Sequence, residues 1–531
     1  MSKSNLPHRK TRYAPPRAAA MLGSLRGLGY SCATALADII DNSISAGADT
    51  VDIHFEWRGA EGADSSISVL DNGSGMDDAE LQSAMTLGDK GPEHKRSSSD
   101  LGRFGIGLKT ASFSQCKRLS VASRKNGATS CLRWDLELIS STPTMGWELI
   151  EGMAPGSENM LALLDDGRES GTLVVWELLD RIVTPGFRRD DFLDLIDHVE
   201  QHLAMVFHRY LEPPDDDGDE FDSEWGSGGI VESKPATKPL LRLRLNGLDI
   251  APWNPFLDGH PAKPWASPVQ RRGGIAIQGH VLPHKDKLGE NEYMRAAGPE
   301  GWNAQQGFYV YRNRRLLVAG GWLGLGAGGA DGRRWNREAP YQLARIMLDI
   351  PNSADAEWKI DVKKSTARPP AALRAWLTRM AQDTREKARH VFAWRGSPVM
   401  PRAATKIEQA WRVEHSAKGV RYRIDTTHPA IAAVAAVLES AAPAHKALLT
   451  SMLRVIEETV PVQKIWLDTA EQKAAPLNRF ADCNEQAVLS VMQTLFADMR
   501  TRQGLSVTEA RAKLARTDPF QNFPQLIALL S

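Results

Sequence analysis

Residues 37–49 read ADIIDNSISAGAD. Across the longer run from Ala33 to Ala48, Leu36, Ile39, Ile40 and Ile44 recur at three- and four-residue spacing, which predicts the buried stripe of an amphipathic helix. Asp38 and Asn42 lie one turn apart, so their side chains share the face opposite that stripe. A carboxylate there can take a proton from an attacking water, and an amide oxygen can ligate a hard cation that bridges phosphates. Alone, the pattern also suits a helix with an ordinary polar outside.

Two glycine-rich turns follow. VLDNGSGM, residues 69–76, runs from an apolar strand into a sharp turn that leaves Asp71 at the strand end, where it can accept a hydrogen bond from an exocyclic amine such as adenine's. A plain hairpin turn reads the same way. LGRFGIGLKTAS, residues 101–112, places Gly102, Gly105 and Gly107 just before a helix, so that the backbone can approach an anion at the helix start with Lys109 nearby. Between these turns, residues 83–103 form a polar loop of a length that compact domains reserve for lids. Strands are expected at 51–57, 67–70, 119–122, 131–138 and 172–178.

The three motifs, in this order and ahead of Gly171-Thr172, resemble the nucleotide-binding fold shared by gyrase, heat-shock chaperone, histidine-kinase and MutL-type ATPases, the GHKL superfamily. SLRGLGYSCATALADIIDNSISAGAD (24–49) and SSDLGRFGIGLKTASFSQC (98–116) look closest to bacterial MORC-like ATPases. The resemblance implies an α+β architecture: a Bergerat-type ATP-binding sandwich of helices over a mixed β-sheet, then an S5-like α/β transducer domain and a mainly helical C-terminal region. It implies ATP and magnesium as ligands. By the same resemblance Asp38 stands for the general base, Asn42 ligates magnesium, Asp71 reads adenine, and Gly73, Gly75 and Met76 shape its pocket. Gly102, Arg103, Phe104, Gly105, Ile106, Gly107, Leu108, Lys109 and Thr110 line the phosphates, and Thr172 supports Asp71 through its hydroxyl.

One departure bears on rate. Most members that hydrolyse ATP carry glutamate at the position of Asp38, and the lost methylene withdraws the carboxylate by about 1.5 Å. Misplacement of about 1 Å can lower a rate on the order of a hundredfold, so either hydrolysis is slow or the helix sits closer to the phosphate. Asp41 is the less suitable base, because its direction is rotated toward the protein body.

Farther along, GFYVYRNRRLLVAGGW (307–322) is similar to a transducer strand and basic turn, and WKIDVKKSTARPP (358–370) resembles the loop that sends a lysine to the γ-phosphate, either Lys363 or Lys364. The expected domains are an arm over 1–20, the ATP-binding domain over 21–235 with an acidic insertion at 212–229, the transducer-like domain over 236–395, and a helical region of no assigned role over 396–531.

Lysine plus arginine equals aspartate plus glutamate, 65 of each among 531 residues, so any nucleic-acid surface must be local. The pairs Arg271-Arg272 and Arg333-Arg334 and the cluster Arg312–Arg315 are candidates for phosphate contact. Four scattered cysteines fit neither a disulfide framework nor a zinc site, and no apolar run has membrane-spanning length, which points to the cytoplasm. The resemblance implies a homodimer formed on ATP binding that closes on double-stranded DNA within a bacterial restriction or antiphage defence system, with a nuclease or other defence protein as partner. An ATP-dependent chaperone or assembly switch with a protein client, and a nucleotide sensor with little hydrolysis, remain alternatives.

Overall fold

The computed structural model describes residues 16–59, 61–62, 64–88, 107–142, 146–165, 167–213, 240–326, 334–351, 354, 357–361, 366–394, 409–416, 419–441, 443–461, 485–517, 520 and 523–531. The chain divides into two compact units, 1–399 and 400–531.

In the first unit, helices α1 (Ala18–Arg26) and α2 (Cys32–Ser45) precede strands β1 (Thr50–Glu56) and β2 (Ser66–Asp71). Helices α3 (Asp78–Met85) and α4 (Gly107–Phe113) lead to β3 (Arg118–Lys125), β4 (Ala128–Asp135), α5 (Leu136–Ser141), β5 (Ile150–Glu151), β6 (Gly171–Glu177), α6 (Arg189–Val206) and α7 (His208–Leu211). Strands β7 (Arg242–Leu245) and β8 (Leu248–Asp249) complete an eight-stranded sheet in the order β5-β4-β3-β6-β2-β1-β7-β8. β7 runs parallel to β1, and the other neighbours are antiparallel. The first sheet therefore extends past the boundary expected at residue 235, because its edge is closed by a long-range pairing that local periodicity does not encode.

The stripe of α2 is buried as its spacing predicts, with Leu36, Ile39 and Ile40 in one core with Ile53, Val69, Phe113, Trp176 and Val199. α2 packs against α4, α6 and β2, and all six residues of β2 are buried, the polar Ser66, Ser68 and Asp71 included. A smaller cluster of Leu70, Ala122, Met153, Leu164, Leu173 and Val175 forms separately, using the alternate residues of β2 and β6. The strand expected to reach residue 138 stops at Asp135, whose carboxylate accepts from the N–H groups of Glu137 (3.1 Å) and Leu138 (3.2 Å) and so caps α5.

A second sheet holds β9 (Trp265–Ala266), β10 (Gln270–Arg272), β11 (Ile275–Val281), β12 (Gly307–Arg312), β13 (Arg315–Ala319) and β14 (Ala344–Asp349). Its order is β10-β11-β14-β12-β13, with β9 paired to β11. Helices α8 (Glu290–Ala297) and α9 (Gly301–Ala304) lie between β11 and β12 in the chain, and α10 (Ala371–Trp394) packs on β11 and β14. Strand β12 alternates: Phe308 and Val310 enter the core with Leu377 and Ala381, while Tyr309 and Tyr311 join Met205 of α6 and Phe256. That second face packs the second sheet against α6.

The unit 400–531 carries a hairpin, β15 (Trp411–Ser416) and β16 (Gly419–Ile424), and helices α11 (Pro429–Ala441), α12 (Pro443–Thr459), α13 (Glu485–Thr501), α14 (Val507–Leu514) and α15 (Pro524–Ala528). Glu457 of α12 accepts from Arg423 (2.6 Å) and from the Ile424 N–H (2.7 Å), which ties hairpin to helices. Among the described residues, no helix is long and apolar enough to cross a membrane.

Candidate functional site

Helix α2 starts at Ser31, whose hydroxyl accepts from the Thr34 N–H at 3.2 Å. That cap fixes the helix phase and hence the directions of Asp38, Asp41 and Asn42. Asp38 is 5% exposed and Asp41 1%, whereas Asn42 is exposed. Asp38 is thus a buried carboxylate rather than part of a polar outside, and a buried carboxylate requires donors. Tyr30 supplies one: its phenol is hydrogen-bonded to Asp38 and to Thr110 of α4. Burial and then the Asp38 charge push the Tyr30 phenol well above its ordinary value, so it stays protonated and donates. The carbonyl of Tyr30 accepts from Gln115 Nε2 at 3.1 Å, which holds this residue from behind.

Asp71 ends β2 opposite Thr172 of β6. Its carboxylate accepts from Ser43 Oγ of α2 (2.8 Å), from the Gly73 N–H (2.9 Å) and from the backbone of Thr172. Burial pushes the carboxyl above its ordinary value, while these donors and the nearby Arg168 pull it back. Three donors against roughly four acceptor sites leave room for one more, such as an exocyclic amine. The Thr172 hydroxyl bonds Ser123 Oγ (2.9 Å), and Ser123 Oγ accepts from the Met76 N–H (2.8 Å). Thr172 meets Asp71 through its backbone, where a hydroxyl contact was expected.

Gly75 has φ +65°, and a Cβ there would lie 1.9 Å from the Arg124 carbonyl oxygen. At Gly73 a Cβ would meet Ala46 Cβ at 2.9 Å and Asp71 Oδ1 at 3.1 Å. Both glycines let the turn lie against α2 and β3.

Gly107, Leu108, Lys109 and Thr110 open α4. Lys109 is 2% exposed and donates to the carbonyls of Ala84 (2.7 Å) and Thr86 (3.0 Å), where α3 ends. Two of its three donors are committed there, which makes it an anchor at the base of the 83–103 stretch, of which 83–85 belong to α3. Gly102, Arg103, Phe104, Gly105 and Ile106, and likewise Lys363 and Lys364, lie outside the described residues. Asp361 acts electrostatically on Tyr30, the phenol that bonds Asp38.

Asp41 faces the protein body and pairs with Arg315 of β13, Nε to Oδ1 at 3.1 Å and to Oδ2 at 3.3 Å. The basic cluster 312–315 is therefore largely internal: Arg312 and Arg315 are 3% and 4% exposed, and Arg314 lies over the Tyr210 ring and donates to the Arg209 carbonyl. Arg271 and Arg272 on β10, and Arg334, are exposed, while Arg333 is outside the described residues.

Tyr30 and Ser43 are residues that sequence reasoning missed, and Arg315, read there as a candidate for phosphate contact, is instead the buried partner of Asp41. Tyr30 and Ser43 sit inside the first motif, beside the helix cap and Asn42, but only the folded chain turns them toward Asp38 and Asp71. The donor set fits a magnesium nucleotide. Asn42 offers a hard amide oxygen at an exposed position, and no group of three or more His, Cys, Asp or Glu capable of holding a metal occurs among the described residues. A cation here would take most of its ligands from phosphate and water.

Residues 30–166 match the family described as histidine kinase-, DNA gyrase B- and HSP90-like ATPase, a span that contains Tyr30, Asp38, Asn42, Asp71 and Lys109. The chain is 35% identical over 98 residues to ATPase MORC2B of Mus musculus, 18% of this chain and 10% of that protein. It is 32% identical over 98 residues to ATPase MORC2 of Homo sapiens, 18% of this chain and 9% of that protein. This chain spans only about a tenth of those relatives' length in the alignment. The protein thus carries an ATPase domain of the histidine kinase-, DNA gyrase B- and HSP90-like family, homologous to the MORC ATPases.

Proposed function

We propose that the protein binds magnesium-ATP at α2 and the Asp71 turn and hydrolyses it slowly, with Asp38 as general base. The observation that carries this reading is that α2 presents Asp38 and Asn42 one turn apart while its Ser43 holds the adenine-reading carboxylate of Asp71. Asp71 accepts the exocyclic amine of adenine. Asp38 takes a proton from water as its oxygen attacks the γ-phosphorus and ADP leaves, and Tyr30 holds the carboxylate in line. Asn42 would hold a nucleotide-bound magnesium through its amide oxygen, and the cation would supply neutralisation of phosphate charge. Lys363 or Lys364, on the loop of Asp361, reaches the γ-phosphate.

In this reading ATP converts monomer to homodimer, and the dimer closes on double-stranded DNA, in a bacterial restriction or antiphage defence system with a nuclease or other defence protein as partner. The DNA and defence roles rest on the resemblance to MORC-like ATPases, together with the exposed Arg271 and Arg272. A second reading, a nucleotide sensor with little turnover, is favoured by the short side chain of Asp38 and its bond to Tyr30.

The test is ATP turnover and oligomeric state, with and without duplex DNA, for wild type, Asp38→Asn, Asn42→Ala and Tyr30→Phe. Loss of turnover of at least about a hundredfold in Asp38→Asn, and about tenfold in Tyr30→Phe, is expected. ATP should shift wild type to dimer, and DNA should change the rate. Binding without turnover in wild type selects the sensor, and absence of binding rejects both readings.

A further inference from the structure

The buried pair of Asp41 and Arg315 joins the helix of the nucleotide site to the second sheet. Its two side chains are 1% and 4% exposed. A buried ion pair is a poor device for stability alone, since well-packed apolar side chains often serve as well, yet it is specific in direction and breaks in discrete fashion. Asp41 stands one residue before Asn42 and three after Asp38, about 4.5 Å along the helix axis from the base. Within a hydrogen-bonded helix such a displacement is shared by all three residues.

The other end of the link is equally well held. β13 forms a hairpin with β12 through Asn313 and Arg314, both at positive φ. The Asn313 carbonyl accepts from Tyr210 Oη, and Arg314 donates to the Arg209 carbonyl. Arg209 makes a bidentate pair with Asp349 of β14, at 2.7 and 3.2 Å, while its guanidinium lies 3.6 Å above the Tyr311 ring. Arg315 also lies 5.4 Å from the Phe207 ring centroid and donates to the Leu316 carbonyl. Half-buried His202 of α6 sits in the same field: burial, then Arg315 and His198, press it down to about 4. It is neutral at neutral pH and does not compete for Asp41.

We propose that Arg315 is a positioning residue for ATP turnover: through Asp41 it sets the placement of Asp38 on α2 according to the position of the second sheet. This rests on the ATPase reading above. In that reading nucleotide binding rests chiefly on Asp71 and its Ser43 contact, so breaking the pair is expected to cost turnover more than binding.

The test compares wild type with Arg315→Met, Arg315→Lys and the apolar double variant Asp41→Leu/Arg315→Met in the full chain. Far-UV circular dichroism reports folding, a fluorescent ATP analogue gives Kd, and steady-state hydrolysis gives kcat. Arg315→Met alone strands a buried carboxylate and can fail to fold; the double variant removes both charges and keeps the question answerable. The double variant is expected to fold, to bind the analogue within about threefold of wild type and to lose kcat by about tenfold or more, with Arg315→Lys between them. ATP should also protect β13 amides from hydrogen exchange in wild type and not in the double variant. Wild-type kcat in the folded double variant overturns the proposal, as does an equal loss of binding and turnover. A wild type that neither binds nor hydrolyses ATP overturns the ATPase reading itself, and the proposal with it.

Discussion

Asp38, Asp41 and Asp71 are three buried carboxylates within one small region, and each is stabilised in a different way. Asp38 is held by a phenol, Asp41 by a guanidinium, and Asp71 by one hydroxyl and two backbone contacts. Neutral donors compensate burial less fully than a full opposite charge does, and accordingly Asp71 is raised by burial despite its hydrogen bonds. A native-state carboxyl raised above its unfolded value binds more protons in the native state. Its contribution to stability is full below the unfolded value and is lost as pH rises through the native one. Asp71→Asn has no such proton. In urea unfolding of the nucleotide-free protein, the stability difference should therefore move in favour of the Asn variant as pH rises through the carboxylate range. A difference that stays flat with pH would show that the Asp71 hydrogen bonds offset its burial completely.

At the scale of elements, the site is made where α2, the turn after β2 and the start of β6 meet at van der Waals distance. Close approaches around this turn run through glycine. A Cβ on Gly171, at φ +155°, would lie 2.5 Å from the Asp71 carbonyl oxygen, and one on Gly75 would lie 1.9 Å from the Arg124 carbonyl oxygen. Backbone cannot yield there as a flexible side chain would. Gly75→Ala is therefore expected to destabilise by at least about 2 kcal/mol. The corresponding drop in Tm for a unit of this size is roughly 2 °C or more. Differential scanning calorimetry checks this, with Gly47→Ala as the comparison: it also has positive φ but meets nothing within 4 Å. If both variants fall equally, conformational strain rather than close packing explains the effect.

Across the whole molecule, the two sheets of residues 1–399 share one compact unit, and residues 400–531 form another with its own core of Val488, Met492, Phe496, Leu514 and Leu526. Every residue assigned to the nucleotide site belongs to the first unit. Residues 1–399 expressed alone should therefore fold and bind the fluorescent ATP analogue with the Kd of the full chain. A weakening beyond about tenfold, worth about 1.4 kcal/mol, would mean that the C-terminal unit takes part in nucleotide binding. The overall charge balance is neutral, so the proposed DNA contact would have to arise from local groups such as Arg271 and Arg272.

The sequence by itself determined the local features: the apolar stripe of α2, the face shared by Asp38 and Asn42, Asp71 at the end of a strand, and the direction of Asp41 away from that face. Each follows from the period of a helix or strand and from turn chemistry, which act over a few residues. Tertiary structure decided the rest. Pairing β7 with β1 spans about two hundred residues, the link from Arg315 to Asp41 spans 274, and that from Tyr311 to His208 spans 103. Such contacts depend on how sheets stack, and a run like RNRR reads as a solvated basic turn until the fold buries Arg312 and Arg315. Likewise Lys109 reads as a phosphate ligand beside its glycines, and only packing against α3 turns its ammonium to the carbonyls of Ala84 and Thr86. Periodicity specifies which face of an element is apolar; the partner that covers that face is set by three-dimensional packing.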